Sequence, residues 1–175
     1  SLSLNAMSLI RWLLTKLGKG SPDWHRPHWR PTGRVAHLYY VVAGADIASA
    51  QNGVPQFPEA LKVETHARAA DPQWFANWFG AVLGGDLDLL FGAESQIVRA
   101  AEKLTIVQGQ FDDPSSLDYL KTATQRVAGL CAQNGLAVFD AFTMSWWKPD
   151  EWRRRFVEHG EFRIADHVRI VVTDG

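Results

Sequence analysis

The side chains of this chain best suited to chemistry are Asp140, His37, Glu64 and His66. Asp140 interrupts the apolar run 137–142, Ala-Val-Phe-Asp-Ala-Phe, where a carboxylate must find hydrogen-bond donors or shift its pKa. It is the best single candidate for a functional acid. The competing reading is a carboxylate that only holds the backbone amides of the next loop. Glu64 and His66 stand two apart in a strand-like segment, so both fall on one face, and His37 lies in another such segment. If those two segments pair with His37 opposite, one carboxylate and two imidazoles converge, which suits a metal or a general acid–base pair. Against this stands a plain solvated strand face, to which Lys62 also belongs. With Asp140, these three residues make up a hydrolase reading of the chain.

Another group is suited to binding. Trp146, Trp147 and Trp152 gather just beyond the apolar run, and Trp is the residue type most favoured as an interface anchor. Only one of two adjacent strand residues faces a given core. The sequence therefore predicts one indole of the adjacent pair packed with Trp152 and Phe156, and the other lining a groove near Asp140. The bland alternative is a tryptophan plug at the end of a sheet.

Aromatic and basic residues also interleave in residues 23–31, where Trp24, His25, Arg26, His28, Trp29 and Arg30 are punctuated by Pro27 and Pro31. Stacking on nucleic-acid bases uses such a mixture. The prolines remove the helical geometry of the His spacing, and a formal net charge of −1 lacks the basic balance of a nucleic-acid binder, so no nucleic acid is expected. The expectation is an arm pinned to the body by its two indoles. Residues 7–34 hold six cations against one acid, which leaves the rest of the chain acidic; contact between the two needs no outside partner. Arg153, Arg154 and Arg155 read as a solvated helix face.

The single cysteine, Cys131, can form no internal disulfide and has no ligand partner at a local spacing, so it reads as a small buried hydrophobe in a reducing, cytoplasmic setting. Glycine-rich phosphate loops, paired-cysteine motifs, nucleophile elbows and His-Glu zinc helices are absent, and neither cofactor nor metal is expected.

The elements that must position these residues follow from periodicity. Residues 1–6 read as a vector-derived leader ahead of Met7. Residues 9–17 form a short amphipathic helix, too short to span a bilayer and at most a weak peripheral membrane contact. Strands are expected over 35–42, 61–67, 104–111, 136–142 and 168–172, with 86–91 alternating like a short strand. Asp71-Pro72 should start a helix carrying Trp74, Phe75, Trp78 and Phe79, with Gly84-Gly85 as its stop. Further helices are expected over 95–103, 114–133, ended by Asn134-Gly135, and 149–158, with Trp152 and Phe156 facing in.

With 175 residues and 46% hydrophobic content, one folded domain is expected. The predicted class is α+β, a two-layer domain over 35–175 with a mixed, partly antiparallel sheet. Its first two strands should form an antiparallel pair, and 104–111 and 136–142, joined by the long helix, should run parallel. The chain ends on a hairpin-turn signal without a return strand, which leaves a truncated C-terminus or an edge strand open. The functional expectation is a small bacterial-type module that binds another protein through a tryptophan-rich surface, in the manner of immunity or inhibitor proteins; the alternative is the Asp/His/Glu hydrolase.

Overall fold

The computed structural model describes residues 30, 33, 35–47, 60–112 and 116–158, without the side chains of residues 81–83 and 85. The expected helix 9–17, the Trp/His arm apart from Arg30, and the strand 168–172 lie outside the described residues.

Five strands form one sheet: β1 (Val35–Ala43), β2 (Leu61–Ala67), β3 (Lys103–Asp112), β4 (Ala137–Asp140) and β5 (Ser145–Trp147). Their order is β2-β3-β1-β4-β5, and every neighbouring pair is antiparallel. The domain is α+β, as its pattern of strands and helices implies. Two features of the sheet differ from expectation. β1 and β2 do not pair, because β3 inserts between them; β3 and β4 do run in the same direction, but β1 separates them, so no parallel ladder forms and the sheet is antiparallel rather than mixed. The long apolar β1 is the physical reason, since a strand apolar on both faces belongs mid-sheet.

That strand also explains the layering. Tyr40 and Val42 point into one core, against α4 (Asp118–Cys131), α5 (Pro149–Arg153) and the π-helical turn Arg154–Glu158. Val41 and Ala43 point into a second core, against α1 (Pro72–Trp78), α2 (Ala81–Phe91) and α3 (Ser95–Arg99). Helices thus cover both faces, where a two-layer domain was expected, because strand alternation supplies an apolar stripe to each side.

Local signals account for most boundaries. The Asp71 carboxylate accepts from the Trp74 amide at 3.0 Å and caps α1, with Pro72 in its first turn. Asn134, at φ 72°, takes the left-handed conformation that ends α4. Segment 86–91 is helix, not strand. Leu87 and Phe91, one turn apart, are buried, while Leu89 between them is 88% exposed. Gly84 does not stop a helix; it makes room for one. A Cβ there would stand 2.6 Å from the Phe79 carbonyl oxygen and 2.7 Å from Arg99 Nη2. The Arg99 guanidinium uses that space to donate to Phe79 O at 2.6 Å, Gly84 O at 2.8 Å and Asp88 Oδ2 at 2.8 Å, satisfying carbonyls where α1 ends and α2 begins.

Candidate functional site

β4 and β5 form a hairpin that the sequence reading did not foresee, with residues 141–144 as its connection. Its root is fixed twice. Trp146 pairs with Phe139 across the hairpin and enters the core under α1–α3, where its ring lies 5.1 Å from Phe139 and 6.1 Å from Phe79. Trp147, the next residue, turns to the opposite core and packs on Trp152 and Phe156 with ring centroids 6.2 and 5.2 Å away. Adjacent strand residues point to opposite faces, and here both faces are covered, so both indoles find a core.

The predicted division of labour between the tryptophans is therefore corrected. Trp147 does pack with Trp152 and Phe156. Trp146, however, lines no groove near Asp140; it is only 5% exposed and lies on the other side of the sheet. Trp152 is fully buried, donating its indole N–H to Thr124 O at 3.1 Å and meeting Tyr40 edge-on at 5.3 Å. These side chains are anchors of the fold.

Asp140 explains the turn. Its Oδ1 accepts from the Phe142 amide at 2.9 Å and lies 3.4 Å from the Thr143 amide, which fixes the first half of the connection as an Asx-type turn. Burial pushes the Asp140 carboxyl above the ordinary carboxylate range, and the Phe142 amide and the nearby Thr143 hydroxyl and amide oppose part of that shift. Tyr40, its cross-strand partner, is itself pushed well above the usual phenol value, first by burial and then by the Asp140 charge. The second half of the turn ends at Met144, a non-glycine residue at φ 51°. A residue is held in that left-handed region only when its surroundings over-determine the backbone.

The fixed turn displays two large apolar side chains. Phe142 is 46% exposed and Met144 41% exposed. Phe142 lies beyond the end of β4 rather than in the expected strand 136–142, and Met144 is not among the expected binding residues. The signal that was available is the Asp-Ala-Phe-Thr order of 140–143, in which an aspartate two and three residues ahead of free amides initiates a turn.

The four residues of the hydrolase reading are not brought together. Asp140 alternates with Phe139 and faces the α4 side with Tyr40, whereas His37 shares the opposite face with Tyr39 and Val41. Glu64 and His66 lie on that second face too: Glu64 raises the Tyr39 phenol, after burial, by its charge, and the His66 ring packs at a tilt against Trp74, 4.8 Å between centroids. They do not meet His37. His37 is opposite Gln110, while Glu64 is opposite Ile106 and His66 opposite Leu104 on the other edge of β3. That is an offset of about 13 Å along the strand for the nearer of the two, plus two strand spacings across. Glu64 pairs instead with Lys62, whose hydrogen bond holds the carboxyl below its ordinary range. No group of three metal-ligating side chains forms among the described residues. Cys131 is buried, which pushes its thiol up to about 12 and leaves no thiolate at neutral pH.

No helix among the described residues is long and apolar enough to cross a membrane. Compared with protein-family models, with curated proteins and with solved structures, the chain finds no match.

Proposed function

We propose that this chain is a protein-interaction module, of the kind that binds and blocks a partner, and that it engages the partner through the tip of the β4–β5 hairpin. One observation carries the reading: Phe142 and Met144 stand half in solvent on a connection whose backbone is already fixed by the Asp140 carboxylate. Large apolar groups on a pre-ordered turn bury area in a complex without a further ordering cost, which is the combination interface anchors use. The tryptophans expected to form the binding surface support it from beneath by rooting the hairpin in both cores. A protein partner is favoured over nucleic acid because the tip is apolar and the chain as a whole carries a net charge of −1. A cytoplasmic setting suits a module with one buried cysteine and no disulfide.

The test is differential capture from a lysate of the source organism. The wild-type chain should retain a stoichiometric protein partner, Leu89→Ser on the exposed side of α2 should retain it equally, and the double variant Phe142→Ser/Met144→Ser should lose it. A partner indifferent to the hairpin substitutions, or no stoichiometric partner at all, contradicts the reading.

A further inference from the structure

The face of the sheet beneath α1, α2 and α3 is covered along only part of its length. Those helices lie over the rows containing Val41, Ala43, Leu104 and Ile106. Toward the start of β1 the same face opens into a concavity of about 440 Å³ lined by His37, Tyr39, Lys62, Gln108 and Gln110. Strand register sets the arrangement: His37 lies opposite Gln110, Tyr39 opposite Gln108, and Lys62 opposite Gln108 from the far side. His37, Tyr39, Gln108 and Gln110 thus form a block about 5 Å across the strands and about 7 Å along them. Among the described residues none of these four side chains is committed to a hydrogen bond or ion pair. Lys62 is committed, to Glu64. The Trp78 ring lies parallel to that of Tyr39, 5° between planes and 6.4 Å between centroids, and gives the block an aromatic flank.

We propose that this concavity binds a neutral, hydroxyl-rich small molecule of the saccharide class. A phenol, two primary amides and an imidazole can each donate and accept, which matches hydroxyl groups that do the same. An anion would need an unpaired cation, and the one lysine here is already neutralised by Glu64. An apolar ligand would strip water from four polar groups and return no hydrogen bonds. The Tyr39 ring, backed by the parallel Trp78 ring, supplies an aromatic edge for the C–H face of a sugar ring. The volume falls within the roughly 300–1,000 Å³ of small-molecule sites. None of these residues belongs to the hairpin tip, so the proposal stands or falls separately from the protein-partner reading.

The experiment is an NMR titration of the full chain with maltose, cellobiose, N,N′-diacetylchitobiose and, as an acidic comparison, a glucuronic-acid disaccharide. The side-chain amide signals of Gln108 and Gln110 are the readout. At least one neutral sugar should give saturable shifts with a Kd of about 1 mM or tighter. The double variant Gln108→Leu/Gln110→Leu should weaken that binding about tenfold or more at an unchanged Tm, with Gln110→Leu alone as the milder variant if the double one loses stability. Absence of saturable shifts up to about 50 mM of every neutral sugar overturns the proposal, since such affinity is too weak to be a site. So does binding that survives both substitutions, or tighter binding of the acidic sugar, which would assign the concavity to anions through Lys62.

Discussion

The root and the tip of the β4–β5 hairpin lie within a few residues of each other and have opposite environments. At the root, Trp146 and Trp147 enter the two cores on opposite faces of the sheet; at the tip, Phe142 and Met144 stand in solvent on a backbone held by Asp140. Hydrophobicity does not distinguish the two groups, because all four side chains are large and apolar. What separates them is whether a layer of helix lies over that point of the sheet. A tryptophan beneath such a layer is fold, and a phenylalanine beyond its edge is surface available to a partner.

The largest effect that could break this contrast is at the root. Trp152→Ala and Trp146→Ala should each lower stability by about 3–5 kcal/mol in urea unfolding, through lost burial and the cavity left behind. A loss below about 1 kcal/mol for either would mean that the indole is not an anchor. Trp147, half-buried, should cost less, about 2 kcal/mol for Trp147→Ala. Its indole N–H is buried without a hydrogen-bond partner among the described residues, so Trp147→Phe should stay within about 1 kcal/mol of wild type in the same assay.

Asp140 joins the two regions and can be probed by chemistry and by pH. Asp140→Ala removes the acceptor for the turn amides and should cost about 1–3 kcal/mol, whereas Asp140→Asn keeps an acceptor oxygen. Because the fold raises the Asp140 pKa, it favours the protonated form. Its contribution is greatest below the unfolded carboxylate value and is lost as pH rises through the folded one. Wild type should therefore gain stability relative to Asp140→Asn as pH falls from about 7 toward about 4. A constant difference between the two proteins across that range would show that burial does not shift this carboxyl. A small stability effect of opposite sign is expected at Met144. Glycine adopts its φ of 51° without strain, so Met144→Gly should raise Tm slightly, by the equivalent of about 1 kcal/mol or less.

Where local chemistry decides structure, the sequence was legible. The Asp71 cap, the left-handed Asn134, the strands at 35–43 and 61–67 and the inward Trp152 and Phe156 of the last described helix are all readable from residue type and period. Partner choice within the sheet was not, because it depends on which apolar strand competes best for the centre, and β1 is apolar on both faces. The same blindness misplaced the site. Glu64 and His66 share a face as expected, and His37 lies on that face too, but the insertion of β3 and the register set His37 apart from the other two. Segment 86–91 misled for a related reason: Leu87, Leu89 and Phe91 alternate with polar Asp86 and Asp88, yet Leu87 and Phe91 also stand one helical turn apart, and the packing of α2 on the sheet selects that period.

Binding by the tip and support by the root are separated most directly by one paired measurement. For the double variant Phe142→Ser/Met144→Ser, the urea midpoint and the capture of the wild-type partner are recorded side by side. The expected result is a stability within about 0.5 kcal/mol of wild type together with loss of the partner. Retention of the partner at full stoichiometry, or a stability loss as large as that of Trp146→Ala, would contradict it.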